Sequence, residues 1–156
     1  MKKIKVIILA LSLLIAFTAC KRSVSKISDA MQLMQVDRDF SLYSVKNGMK
    51  KAFLDYADSS VVLLRPNNFP IEGKTALRDV VKNIPDSLFT LRWEPHRAAI
   101  SSSGDMGFTY GIYHRMPTDT LTGKKEENGS YVTIWKKQSD GGWKYAFDAG
   151  NEGLGK

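Results

Sequence analysis

Apolar positions along the chain first recur at helical spacing and later alternate as in strands, which divides the sequence into a helical part and a β-rich part. Asp29 can cap a helix, and Leu33, Val36, Phe40 and Tyr43 follow at intervals that keep one face buried. Gly48 interrupts that pattern. A second helix then carries Met49, Ala52, Phe53 and Tyr56 on one side and ends near Asp58. Val61 to Leu64 is a short, continuously apolar strand stopped by Pro66. Asn67-Asn68 turns the chain, Phe69 to Glu72 can add a brief strand, and Gly73 ends it. Thr75 to Ile84 reads as a third helix with Leu77, Val80, Val81 and Ile84 as its buried stripe.

The remainder reads as antiparallel sheet. Phe89, Leu91 and Trp93 alternate before Pro95, and the strand can continue to Ile100. Ser101 to Asp105 is a turn. Met106, Phe108, Tyr110, Ile112, His114 and Met116 then form an apolar row at strict period two, opposed by Gly107, Thr109, Gly111, Tyr113 and Arg115. Pro117 to Gly123 is a loop, Tyr131 to Trp135 a further strand, Asp140-Gly141-Gly142 a hairpin turn, and Trp143 to Asp148 the last strand. Helices first and a meander afterwards predict an α+β domain with its helices on one sheet face. A sheet wet on its other face would carry a polar row on every strand. Here Tyr113 opposes the Met106 to Met116 row, and Val132 and Ile134 oppose Tyr131 and Trp135. Apolar residues on both faces predict a second covered surface, and a homodimer is the simplest cover.

The N-terminus differs in kind. Lys2, Lys3 and Lys5 precede a run from Val6 to Ala19 that is apolar apart from Ser12 and Thr18. A membrane-spanning helix needs roughly 17–25 apolar residues, and this shorter run ends in small residues, as secretory signals do. Phe17-Thr18-Ala19-Cys20 resembles the lipobox of bacterial lipoproteins, with Phe where Leu is more usual. The resemblance implies cleavage before Cys20 and acylation of its thiol. Cys20 is the single cysteine, so no disulfide can form within the chain. The expected organisation is a signal peptide over 1–19, a lipidated tether over 20–28 and one domain over 29–153. The domain would sit in the bacterial cell envelope, lipid-anchored and facing the periplasm or the cell surface.

Cleavage also changes the charge. The formal +7 includes Lys2, Lys3 and Lys5; without them the balance is +4. Lys50-Lys51, Lys124-Lys125 and Lys136-Lys137 are scattered pairs with no basic stripe, which speaks against nucleic acid. His96 and His114 share no metal-ligand spacing, and no phosphate loop, dinucleotide fingerprint or Ser-His-Asp arrangement is present. No metal or cofactor is expected.

Asp37-Arg-Asp-Phe-Ser41, Gly48 with Ala52-Phe53, Val61 to Pro66, Ile71-Glu-Gly73, Gly104 to Thr109 and Gly142 to Asp148 occur in an order and spacing that resemble the nuclear transport factor 2-like superfamily, in its SnoaL-like branch. That superfamily also includes ketosteroid isomerases. The resemblance spans the whole domain and implies a cone-shaped half-barrel, with three helices over the concave face of a curved sheet. It implies a pocket opening at the wide end, a frequent homodimer, and activities of isomerase, cyclase or hydrolase type. Aligning the steroid isomerases by hand puts Arg65 at their catalytic base and Tyr131 or Val132 at their protonated acid. Both carboxylates are missing, which speaks against steroid isomerisation.

Arg65 ends an apolar strand; its fork can bind a carboxylate or phosphate, or pair with Glu72 or Asp148. Asp148 falls on the outer face by simple parity, whereas a bulge would turn it into the pocket as a base or a structural bridge. His114 shares the Met106 to Met116 row and is expected to point inward, as a ligand contact or a hydrogen-bonded core residue. Tyr56, Trp93, Tyr110, Tyr131 and Trp135 can line a cavity for a small apolar or amphipathic molecule, or pack the core. Gly107 and Gly111 on one strand point to a bend or a close approach.

Overall fold

The computed structural model describes residues 28–118 and 125–155. The expected signal segment, Cys20 and nearly all of the tether lie outside the described residues, as does most of the loop after Pro117. Helix α1 covers residues 28–47. It is followed by α2 (Met49–Tyr56), β1 (Ala57–Leu64), β2 (Ile71–Glu72), α3 (Gly73–Val81), β3 (Phe89–Ile100), β4 (Met106–Pro117), β5 (Glu127–Lys137) and β6 (Trp143–Glu152). The strands form one six-stranded open sheet in the order β2-β1-β6-β5-β4-β3. Every element among the described residues lies downstream of residue 27, so the chain from Lys21 onward contains all of them.

The α+β class and the three helices follow the sequence pattern, and the meander β3-β4-β5-β6 is antiparallel as expected. The sheet as a whole is mixed, because β1 pairs with β6 in parallel. β1 starts four residues before the apolar run Val61 to Leu64, and its polar beginning is held by tertiary contacts. Ala57 pairs with Tyr145, and buried Asp58 accepts hydrogen bonds from Ser60 and from Gln138 beside the β5–β6 turn. Burial works against the Asp58 charge, but those hydrogen bonds and nearby Lys136 outweigh it and hold its pKa at about 2.

Two bulges set the faces. The register of β3 on β4 shifts between Pro95 and Arg97, and that of β5 on β6 between Ile134 and Trp135. In β6 the shift falls between Tyr145 and Phe147. Tyr145 and Asp148, three residues apart, therefore both turn inward and are buried. β4 presents the row opposite to the one its hydropathy favours. Gly107, Thr109 and Gly111 are buried under the helices, while Met106, Phe108 and Tyr110 are 43 %, 39 % and 43 % exposed on the convex face.

The reason is space. A Cβ on Gly107 would stand 2.8 Å from the Ala99 carbonyl oxygen of β3 and press on Leu33 of α1, and one on Gly111 would run into the Glu94 carbonyl oxygen at the β3 bulge. Only glycine allows the strand to come this close, so the large side chains must take the other face.

β3 is an edge strand, and α1 covers its inner end. Ser41 Oγ donates to the Trp93 carbonyl and accepts from the Trp93 amide, and Ser44 Oγ donates to the Leu91 carbonyl. These bonds satisfy groups that an open edge would leave free. Phe40 of α1 is the hub of the core, with ring centroids of Phe53, Tyr56, Trp93, Trp135 and Tyr145 within 4.6–6.0 Å. Aromatic side chains thus fill the space around Phe40 beneath the helices.

Candidate functional site

Beyond these rings the space is open. Between α2, α3 and the start of β3 on one side, and β4, β5 and β6 on the other, lies a cavity of about 610 Å³. Its apolar wall includes Met49 and Phe53 of α2, Leu77 and Val81 of α3, Ile84 in the turn after α3, and Leu91 of β3. Its polar side gathers the open ends of the sheet: Arg65 after β1, Tyr113 and Arg115 on β4, Glu127 on β5, Asp148 and Glu152 on β6.

Four of the residues singled out in the sequence meet here: Arg65, Trp93, Tyr131 and Asp148. Arg65 Nη2 donates to Asp148 Oδ1 at 2.6 Å, while Thr133 Oγ1 donates to Asp148 Oδ2 at 2.8 Å. The partner of Arg65 is therefore Asp148 and not Glu72, and the β6 bulge is what makes the pair possible. Arg65 is also poised over the Phe53 ring, 5.8 Å from its centroid. Arg115 is engaged as well, donating to Glu127 at 2.8 Å while its guanidinium stacks 4.0 Å from the Phe89 ring centroid.

Four expected residues lie elsewhere. Tyr110 and His114 belong to the convex row, a consequence of the glycine-set facing of β4. His114 Nδ1 lies 2.7 Å from Glu126 Oε1 on that outer side. Trp135 is fully buried in the aromatic packing, with its indole nitrogen donating to Thr109 Oγ1 at 2.8 Å. Tyr56 stacks on Phe40 at 4.6 Å, outside the cavity lining. In their place the cavity takes Tyr113 and Arg115, from the β4 row opposite the apolar one, and Glu127 of β5. Burial raises the pKa of the Tyr113 phenol, with Glu152 and Glu127 adding to the rise.

Behind the cavity stands Asp37 of α1, fully buried. Trp93 Nε1 donates to its Oδ1 at 2.7 Å and Tyr131 OH to its Oδ2 at 2.7 Å. Burial raises the Asp37 carboxyl to about 6, against the lowering effect of hydrogen bonds from Tyr131, Thr109 and Trp93. The Tyr131 phenol is itself pushed well up, by burial first and then by the Asp37 charge, so it stays a proton donor. Asp37 follows Leu33 by four residues and precedes Phe40 by three, so its place on the buried stripe was visible in the helical pattern.

Among the described residues no cluster of His, Cys, Asp and Glu is arranged to hold a metal ion, and no helix is long and apolar enough to cross a membrane. The polar groups of the cavity are largely satisfied by one another. The arrangement suits holding a molecule with an apolar body toward α2 and α3 and a polar end toward Arg65, Tyr113 and Arg115.

Neither protein-family models nor curated protein sequences match the chain. Solved structures do. A ketosteroid isomerase-like protein from Erwinia carotovora atroseptica superposes with a TM-score of 0.63 at 16 % identity, covering 79 % of this chain and 95 % of that one. A nuclear transport factor 2-like superfamily protein from Salmonella enterica serovar Typhimurium gives 0.60 at 14 % identity, covering 83 % and 96 %. The association domain of C. elegans CaMKII gives 0.63 at 14 % identity, covering 81 % and 98 %. At such identities the likeness speaks for the fold. The three helices, the open mixed sheet and these structural likenesses together make this chain a bearer of the nuclear transport factor 2-like fold.

Proposed function

We propose that this chain is a lipid-anchored cell-envelope protein whose domain binds a small, largely apolar molecule with a polar end. The observation that carries the reading is the open cavity of about 610 Å³ with apolar walls and one polar side. Binding suits the geometry better than steroid-type proton transfer. Asp148, the buried carboxylate that lines the cavity, already accepts from Arg65 and Thr133, and Glu127 is held by Arg115. Isomerase-, cyclase- or hydrolase-like chemistry would have to work through Asp148 and Arg65.

The probe for this reading is 8-anilinonaphthalene-1-sulfonate, an aromatic body with one anionic end. The chain from Lys21 is expected to bind it with one-to-one stoichiometry. Leu91→Trp, which fills the cavity from β3, is expected to abolish binding without unfolding the domain. Undiminished binding to a folded Leu91→Trp protein would place the probe elsewhere and end the reading.

The anchor rests on the signal-like N-terminus and Cys20. Each buried CH₂ of an acyl chain contributes about 0.8 kcal/mol, so two or three chains hold a protein firmly where one holds it only marginally. Cys20→Ala is expected to leave an uncleaved precursor or release the protein from membranes. Normal processing with unchanged membrane retention would contradict lipidation.

A second reading, a non-catalytic homodimeric interaction module, is favoured by the convex row. Met106, Phe108 and Tyr110 lie exposed beside half-buried Ile112, Val132 and Ile134. One of the structurally similar chains is itself called an association domain. Sedimentation of the chain from Lys21 is expected to give a dimer that Tyr110→Glu converts to a monomer. A wild-type monomer at high concentration would remove this reading.

A further inference from the structure

We infer that Asp37 is a positioning residue for the cavity: its ionised carboxylate holds the Trp93 and Tyr131 rings as the back wall, and its protonation in mildly acidic medium loosens that wall and weakens ligand binding. The inference rests on the binding reading above and adds its regulation. The geometry singles out this residue. Trp93 of β3 and Tyr131 of β5 both line the cavity, and each sends its one polar hydrogen to a different oxygen of the same carboxylate, at 2.7 Å. One side chain of α1 thus fixes two cavity rings from two strands, and no water-exposed route competes with those bonds, because Asp37 is fully buried.

The chemistry of the donors makes the charge state matter. An indole N–H can only donate, and an ionised carboxylate can only accept, so the present arrangement is matched. A protonated Asp37 must place its own hydrogen among neighbours that already point hydrogens at it. Tyr131 can turn its hydroxyl around and accept; Trp93 cannot. The Thr109 hydroxyl beside Asp37 is itself a donor to that carboxylate while accepting from the Trp135 indole. Protonation therefore turns the Trp93 bond into a weaker neutral one and reverses the bond to Tyr131, so the carboxyl holds both rings less firmly.

The groups facing Asp37 from the sheet are Trp93 on β3, Thr109 on β4, Tyr131 on β5 and Asp148 on β6, whose charge makes ionisation of Asp37 harder. Arg38, next to it on α1, is committed to Glu94 at 2.7 Å and so does not neutralise it. With the Asp37 carboxyl at about 6, the change falls between neutral and mildly acidic medium.

The test is calorimetric titration of 8-anilinonaphthalene-1-sulfonate into the chain from Lys21 at pH 7.5 and pH 5.0. Binding that needs the ionised form should weaken about tenfold at pH 5.0, because only about one molecule in eleven is then competent. Asp37→Asn should bind with the weaker affinity at both pH values. Tyr131→Phe removes a hydrogen bond that lowers the Asp37 pKa, and should move the midpoint of the loss to higher pH. That shift keeps the test decisive if Asp37→Asn does not fold.

Equal wild-type affinity at the two pH values, or the same loss in Asp37→Asn, would overturn the inference. Failure of the wild type to bind the probe even at pH 7.5 would instead strike the binding reading. The Trp93 indole N–H resonance then decides the positioning claim without a ligand. A titration near pH 6 that disappears in Asp37→Asn supports it, and a resonance that does not move overturns it.

Discussion

Acidification from pH 7.5 to pH 4 is expected to stabilise the wild-type domain relative to Asp37→Asn by roughly 2–3 kcal/mol, read from denaturant unfolding of both proteins at each pH. The folded carboxyl titrates at about 6, against an ordinary 3.8. Between those values the folded protein holds a proton that the unfolded chain has released, so stability falls as pH rises through that window. The Asp37 contribution is complete below about pH 3.8 and gone above about pH 6. Asp58 works in the opposite sense and in another window. With its pKa held at about 2, its contribution is present above pH 3.8 and fades only below that, so it does not obscure the comparison. A stability difference between wild type and Asp37→Asn that stays constant across this range would show that Asp37 is not ionised and strained at neutral pH. A buried charge that costs stability at neutral pH makes sense where it serves the site, and the two rings it holds are cavity walls.

Arg65→Met is expected to lower stability at pH 7 by about 2 kcal/mol, while the double substitution Arg65→Met with Asp148→Asn should recover most of that loss. The single change strands the buried Asp148 carboxylate with one donor, Thr133. Removing a partner from a fully buried ion pair costs about 3–5 kcal/mol, and the figure is reduced here because solvent screens the Arg65 side chain, which is 31 % exposed. The double variant leaves no charge to strand. Equal losses in the single and double variants would mean that Arg65 contributes through packing on Phe53 and not through Asp148.

The helical half and the succession of strands along the chain were readable from periodicity, because Leu33, Val36 and Phe40 or Leu77 and Val81 have a single apolar face to bury; the parallel pairing of β1 with β6 was not. Nor was the facing of β4. Both of its rows can be buried, and hydropathy favours Met106, Phe108, Tyr110 and Ile112 over a row containing Gly107 and Gly111. Van der Waals exclusion decided against that preference, since the β3 backbone approaches too closely for any Cβ. The two glycines mark a close approach in the sequence itself, and carried to its end that mark reverses the face and puts Tyr110 and His114 outward.

Asp148 shows the converse. Strict alternation puts it outside, and only the bulge after Tyr145 brings it to Arg65. A one-residue register shift has no marker in this sequence. Asp37 was legible in position, an acid on a buried stripe, but its role needed the two rings that converge on it from strands more than fifty residues away.

Ligand is expected to enter the hollow between the helices and the concave face. Amide chemical-shift mapping of the chain from Lys21 with 8-anilinonaphthalene-1-sulfonate tests it most directly. The expected perturbations cluster at Val81, Leu91, Tyr113, Tyr131 and Asp148. Perturbations confined to Phe108, Tyr110 and Ile134 would mean that the probe lies on the outer sheet face and that the hollow does not bind it.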